Sequence, residues 1–238
     1  MSSDSKPVKP LYDIFNDIPP RYDRINFIFT MGMDKKWRRK AVRECLANNP
    51  QRILDLGCGT GDLSLEIAAQ TKSPIEITGV DFSRPMLDLA AEKARLRGLN
   101  VKYVEGDASK LPFPDNYFDS IGIAFAFRNM TFNNSHAAKH ISEVIRILRP
   151  GGRFIIVESS QPKNRFIKAV DHLYVRGFAY PLGWWISGYR GAYKYLSFSA
   201  THYYSPEELK DLLLKTGFSK VSFQRLFFGA AAIHVAVK

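Results

Sequence analysis

The stretch Asp55–Asp62, reading DLGCGTGD, limits what this chain can fold into more than any other. Residues 51–56 (QRILDL) form a short, mostly apolar run suited to a buried strand, and the glycines at 57, 59 and 61 forbid it from continuing. Beyond them, Leu63, Leu65, Ile67, Ala68 and Ala69 set an apolar helical pattern, so a helix opens near residues 61–63. A strand that empties through glycines into a helix belongs at the carboxyl edge of a parallel sheet. There α/β folds bind nucleotides, and glycine lets backbone approach a ligand closely.

The spacing departs from a dinucleotide fingerprint. G-x-G-x-x-G requires a glycine at 62, where the chain has Asp62, and a further acid, Asp55, ends the strand. A diphosphate at this loop meets two carboxylates, whereas an ammonium or sulfonium is drawn in. S-adenosylmethionine fits that description; a dinucleotide or a merely structural turn stays open as the alternative. A second strand-like run, residues 75–80 (IEITGV), ends at Asp81, about twenty residues past the glycines, where a carboxylate accepts from both ribose hydroxyls. A third run, Val101–Val104, leads to Asp107, which can accept from an exocyclic amine such as that of adenine beside the amide of Ala108. One acid after a strand is ordinarily a solvated turn residue; three at three successive strand ends point to a ligand.

A regular βα alternation surrounds this core. Strands are expected at 51–56, 75–80, 101–104, 118–124 and 153–158, with helices near 62–70, 84–97 and 135–148, which predicts a parallel sheet. Ser83 reads as a cap followed by Pro85, and Arg149–Gly152 as a turn leading into the fifth strand. After a helix over 206–216 capped by Gly217, runs at 219–226 and 231–237 read as an antiparallel hairpin around Phe228 and Gly229. With 238 residues the expectation is one domain: an N-terminal lid or helical segment (1–50), a cofactor-binding core (51–158), a substrate-cap insertion (159–205) and a closing helix and hairpin (206–238).

Charge separates the core from its flanks. The net charge is +11, yet basic and acidic residues balance over 51–150, while 151–205 holds seven Lys and Arg against two acids. That basic insertion is crowded with aromatics, Phe166, Tyr174, Phe178, Trp184, Trp185 and Tyr195 among them, and would lie over the carboxyl edge as a substrate pocket or as a second packing cluster. Another aromatic stretch, residues 12–39, is broken by Pro19 and Pro20, and Trp37–Leu46 reads as a helix. It serves either as ordinary packing or as a lid with Tyr22, Asp23 and Asn26 facing inward. No apolar window is long enough to span a bilayer and the N-terminus is polar, so a cytoplasmic setting is expected. Cys45 and Cys58 form no C-x-x-C, and neither disulfide nor metal site is expected.

DLGCGTGD, the acids Asp81 and Asp107, residues 111–119 (LPFPDNYFD) and residues 148–154 (LRPGGRF) resemble the class I S-adenosylmethionine-dependent methyltransferases. More narrowly, residues 22–26 (YDRIN), 31–39 (MGMDKKWRR), 126–131 (AFRNMT) and 232–238 (AIHVAVK) resemble the ubiquinone/menaquinone biosynthesis C-methyltransferase family, from about Ile14 to Lys238. The resemblance implies an α/β Rossmann-like fold, a mostly parallel seven-stranded sheet with a C-terminal antiparallel hairpin and helices on both faces. It implies S-adenosylmethionine as cofactor, contacted through Asp55, Gly57, Gly59, Thr60, Asp81, Asp107, Ala108 and Ala124, and a prenylated quinol as acceptor. Arg128 and Asn129 fall on the catalytic positions, with Tyr22, Asn26, Phe127 and His202 facing the substrate. Departures from the family pattern are Ala124 in place of a serine, Pro19 in place of an alanine, and residues 198–209 (FSATHYYSPEEL).

Methyl transfer to carbon is an in-line displacement in which alignment supplies much of the acceleration. A hydroquinone carbon becomes nucleophilic when its neighbouring hydroxyl loses a proton. Arg128 would stabilise the phenolate and Asn129 hold the hydroxyl or a water, with a carboxylate farther along as proton sink. A bland ion pair or cap is the competing role for Arg128, and a lone histidine on an apolar strand, such as His234, is more often structural. Other readings of the whole chain are an RNA methyltransferase, against which no recognised RNA module is present, and a non-catalytic cofactor-binding protein. The expected partners are the quinol and an anionic membrane face, met through the basic aromatic segments at 12–43 and 163–195, with no nucleic acid and a homodimer left open.

Overall fold

The computed structural model describes Phe27 and residues 29–71, 74–187 and 190–238. Tyr22, Asp23 and Asn26 lie outside the described residues. Helix α1 (Asp34–Leu46) precedes β1 (Arg52–Leu56), α2 (Asp62–Gln70), β2 (Glu76–Asp81), α3 (Arg84–Leu96), β3 (Lys102–Glu105) and β4 (Phe118–Ala124). Then come a short α4 (Phe127–Thr131), α5 (Ala137–Ile147) and β5 (Leu148–Ser159). Three helices, α6 (Arg165–Tyr174), α7 (Tyr180–Ser187) and α8 (Arg190–His202), succeed it, the first two joined by a π-helical turn over Val175–Ala179. Helix α9 (Pro206–Lys215), β6 (Lys220–Leu226) and β7 (Ala231–Val237) close the chain.

Among the described residues seven strands make one sheet, ordered β3-β2-β1-β4-β5-β7-β6. The first five run parallel, and β7 pairs antiparallel with both β5 and β6. Strand order reverses between β1 and β4, the switch point at which an α/β sheet opens a crevice at its carboxyl edge. Side chains alternate across the sheet, so Ile53 goes to one face and Leu54 and Leu56 to the other. On the first face Val42, Cys45, Leu63 and Ile67 of α1 and α2 meet Ile155, Val157 and Ile233. On the second, Phe127, Ile141, Val144, Leu213 and Phe218 close over Phe118, Ile121 and Phe154. Both layers are needed because the central strands are apolar on both sides. Gly122, central in β4, is a condition of that packing: a Cβ there would sit 2.9 Å from Leu63 Cδ2 and 3.0 Å from Cys45 Sγ.

Two local expectations are corrected and a third is qualified. Strand β5 starts at Leu148, not 153, because Leu148 pairs with Phe118 across a register shift, and the turn-like residues 151 and 152 are hydrogen-bonded to Lys238. Helix α1 starts at Asp34 rather than Trp37, with an acid in its first turn where the helix dipole favours one. Ser83 holds the N-cap position of α3 as expected, but without a side-chain capping bond; its backbone N–H donates to Asp81 Oδ1.

Candidate functional site

The glycine loop is fastened by the two acids that end β1 and β2. Ser64 N–H donates to Asp55 Oδ2 at 2.8 Å, and Gly59 N–H donates to Asp81 Oδ2 at 2.8 Å. With Cys58 N–H bonded to Val80 O at 3.0 Å, the loop is drawn down onto the end of β2. Gly57 takes φ +61°, and a Cβ there would stand 2.9 Å from Ala126 Cβ, so the turn before α4 lies directly against the loop.

Two concavities flank this loop. The larger, about 720 Å³, opens over the ends of β1 to β4 and is lined by Gly57, Gly59, Asp81, Phe82, Met86, Glu105, Asp107, Ala108, Ala126, Asn129, Asn134 and His140, among others. It therefore brings together Gly57, Gly59, Asp81, Asp107, Ala108 and Asn129. Its charged lining is acidic, with no Lys or Arg among the described residues that form it. A smaller concavity shares Gly57 and Gly59 and adds Asp55, Thr60, Ala124 and Arg38. The site residues foreseen for one ligand are thus split across the loop.

Burial and hydrogen bonding set the acids apart. Burial pushes Asp55 up to about 7, against the lowering effect of Ser64 and Arg38. Asp81 is also raised by burial, although the Ser83 and Gly59 amides favour its charged form. Asp107 is held below its usual range: partial burial raises it, but the Ser109 amide at 2.7 Å and hydroxyl at 2.8 Å, with His140 and Lys139 nearby, lower it by more.

Arg128 turns away from the larger cavity. Its Nη1 bonds Ser159 Oγ and lies 3.6 Å from Glu158 Oε1, and its backbone N–H donates to Glu158 Oε2 at 3.0 Å. Glu158 is 1% exposed and also accepts from the amide and hydroxyl of Ser159. Two buried atoms at this edge have no hydrogen-bond partner: Arg128 Nε, a donor, and Asn129 Oδ1, an acceptor. Sequence reasoning missed Glu158, yet it ends β5 as Asp55 and Asp81 end their strands, and the same rule would have found it. It also missed Arg38 and Lys93, whose Nζ reaches Thr60 Oγ1 at 2.9 Å and Asp62 Oδ1 at 3.1 Å.

Other nominated residues lie elsewhere. Phe127 is core rather than a substrate wall, packed edge-on against Phe154 with ring centroids 5.5 Å apart. His202 stacks on Phe198 at 4.3 Å and borders a separate depression with Gln161, Lys168 and Glu208. His234 bonds Pro206 O through Nε2 at 2.9 Å, and burial lowers it to about 4, a structural part. Trp184 and Trp185 face outward, at 41% and 81% exposure. No group of three or more metal-ligating side chains occurs among the described residues.

Residues 2–238 match the model of the ubiE/COQ5 methyltransferase family. A demethylmenaquinone methyltransferase of Thermus thermophilus is 43% identical over 222 residues, 93% of this chain and 98% of that protein. A ubiquinone/menaquinone biosynthesis C-methyltransferase UbiE of Geobacter sulfurreducens is 38% identical over 228 residues, 95% of this chain and 87% of that protein. Among solved structures, a SAM-dependent methyltransferase of Thermotoga maritima, named a possible histamine N-methyltransferase, superposes with a TM-score of 0.64 at 22% identity. That superposition covers 95% of this chain and 99% of the other, and it bears on the fold alone.

Proposed function

We infer the reaction from one premise: this chain belongs to the ubiE/COQ5 methyltransferase family. It is an S-adenosylmethionine-dependent methyltransferase of quinone biosynthesis, and the acceptor we assign is a ring carbon of a demethylated prenyl quinol, demethylmenaquinol or a ubiquinol precursor. The residues fit the cofactor. A cavity of about 720 Å³ whose charged lining is Asp81, Glu105 and Asp107 repels a diphosphate and accommodates an adenosyl cation. When bound, S-adenosylmethionine supplies an activated methyl group. Asp81 has lone pairs left for ribose hydroxyls after accepting from Gly59 and Ser83, and Asp107 with Ala108, lining the same cavity, would meet the adenine amine.

One observation carries the acceptor chemistry: in two residues adjacent in the chain, Nε of Arg128 and Oδ1 of Asn129 are both buried without a hydrogen-bond partner. A buried donor and a buried acceptor left unmade are costly in the free protein, and a quinol answers both. Arg128 Nε–H donates to the oxygen on which negative charge develops, while Asn129 Oδ1 holds the second hydroxyl or a water that takes its proton. Glu158 balances the guanidinium charge and Ser159 Oγ accepts from Nη1, leaving Nε for the ligand. Methylation assays with demethylmenaquinol, a polyprenyl benzoquinol and RNA test the assignment. Turnover on one of the quinols is expected; turnover on RNA alone would replace this reading.

A second observation concerns where the acceptor is met. Helix α6 buries none of its residues and exposes Phe166, Ala169, Val170 and Leu173 at helical spacing, and Phe178 and Trp185 further along the chain are exposed as well. Lys163, Arg165, Lys168 and Arg176 border it, against Asp171 as the one acid over residues 163–187. An outward apolar stripe edged by cations suits the headgroup region of an anionic bilayer, where a prenyl tail resides. No helix of the described residues is long and apolar enough to cross a membrane, so the attachment proposed is peripheral.

A further inference from the structure

We propose that Tyr203 is a positioning residue for methyl transfer: its hydroxyl holds the last turn of α4 and so sets where Arg128 and Asn129 stand. This rests on the acceptor reading above. Helix α4 is five residues long, too short to be stable on its own. The chain enters it through Phe125 at φ +61°, left-handed backbone that a bulky side chain rarely adopts, and Ala126 supplies no side-chain cap. The geometry of this turn is therefore set by what it touches.

Its carbonyls are taken one by one. Phe127 O accepts from the Thr131 hydroxyl at 2.8 Å, Arg128 O from the Phe132 N–H at 2.8 Å, Asn129 O from Asn134 Nδ2 at 3.2 Å and Met130 O from His140 Nδ1 at 2.9 Å. Those donors all come from the same stretch of chain. Tyr203, immediately past α8, adds a tie from the far side of β5: Thr131 has committed its one proton to Phe127 O, so across 3.0 Å the Tyr203 hydroxyl donates to Thr131 Oγ1. Both residues are buried. Burial pushes the Tyr203 phenol well above its ordinary value, Glu158 adding to this against Thr131 and Arg128, so it stays a protonated donor. Its ring packs on Phe132 with centroids 6.2 Å apart, and Phe198 of α8 meets Phe132 at 6.2 Å as well. The end of α8 is thus clasped to the residues that directly follow Arg128 and Asn129. The competing role for Tyr203 is core packing alone, in which the ring matters and the hydroxyl does not.

Kinetics on the full chain separate the two roles, with demethylmenaquinol or a polyprenyl benzoquinol as acceptor, whichever turns over. Tyr203→Phe keeps the ring and removes the donor. It is expected to lower kcat by about tenfold, the size of one hydrogen bond, and to leave calorimetric S-adenosylhomocysteine affinity within about twofold. In an Arg128→Ala background the same change should cost no more than about threefold, because a residue that acts through Arg128 then has less left to place. Thr131→Val removes the accepting hydroxyl and should reproduce the loss, the two changes together being no worse than either alone; it replaces Tyr203→Phe if that variant does not fold. Wild-type kcat in Tyr203→Phe, an equal loss of S-adenosylhomocysteine affinity, or the full loss repeated in the Arg128→Ala background overturns the assignment in favour of packing. Arg128→Ala that turns over like wild type overturns the acceptor reading, and this inference with it.

Discussion

Glu158 grips Arg128 at two points: Oε2 accepts its backbone amide at 3.0 Å, and Oε1 lies 3.6 Å from its Nη1. The pair joins the carboxyl ends of two adjacent strands, β5 through Glu158 and β4 through the turn into α4. Both side chains are nearly inaccessible, and Glu158 has its remaining acceptor capacity taken by Ser159. Removing the acid therefore strands a buried cation. Glu158→Ala is expected to cost roughly 3–5 kcal/mol in urea unfolding, and Glu158→Gln less. Near-zero loss in the Ala variant would show that water already solvates the guanidinium.

Arg128→Ala and Asn129→Ala should lower kcat and kcat/KM together while S-adenosylmethionine affinity holds, because their unpartnered atoms are assigned to the acceptor. Wild-type turnover in both variants would remove them from catalysis. Loss of cofactor binding in both would move them to the other half of the cavity.

Asp81→Ala should weaken cofactor binding by about 1.5–3 kcal/mol for lost charge-assisted hydrogen bonds. The same change also releases the Gly59 amide, so faster hydrogen exchange at the loop is expected alongside. Unaltered calorimetric affinity in a folded variant would take Asp81 out of the site.

Asp55 links pH to both stability and binding. Its folded-state pKa of about 7 lies above the ordinary value of 3.8, so its stability contribution is fullest below the lower value and is lost as pH rises through about 7. Ser64 and Arg38 act to lower it and Asp81 to raise it, and burial prevails. Ligand-free Asp55→Asn should accordingly gain melting temperature over wild type more at pH 8 than at pH 5. A cationic ligand needs the ionised acid, so wild-type S-adenosylmethionine affinity should fall from pH 8 to pH 6 while the variant stays flat. A melting difference independent of pH would contradict the raised value.

Attachment to lipid is expected to depend on charge. Cosedimentation with phosphatidylglycerol vesicles should occur at low salt and weaken at high salt, at about 1 kcal/mol per engaged Lys or Arg. Trp185→Ala with Phe166→Ala should reduce it further, since both are largely exposed. Binding indifferent to lipid charge, or none at low salt, would reject the mechanism.

Much of this architecture was legible because the central strands are apolar and the glycines punctuate them; β4 falls on residues 118–124 as expected. Acids at strand ends were readable for the same reason, since an apolar run shows where it stops. Neighbours in a motif misled where a helix intervened. Helical residues two apart diverge by roughly 200°, so Phe127 enters the core while Asn129 lines the cavity. His202 was unreadable because the buried positions near the end of its helix are Ser197, Ser199 and Thr201, polar residues that leave no apolar period from which to orient it. Arg38 depended on a tertiary crossing of α1 over the loop, which spacing along one helix does not encode.

The attachment proposed for the outward stripe of α6 would carry a kinetic consequence. A catalyst that works from a surface responds to how crowded its acceptor is within that surface, not to how much is in the flask. Diluting a fixed amount of quinol with inert lipid should therefore slow turnover even though its bulk concentration never changes, and the apparent KM becomes a mole fraction. Phe166 and Trp185, exposed and lining neither concavity at the glycine loop, would then set the rate at which the enzyme encounters successive acceptors on one vesicle before it leaves.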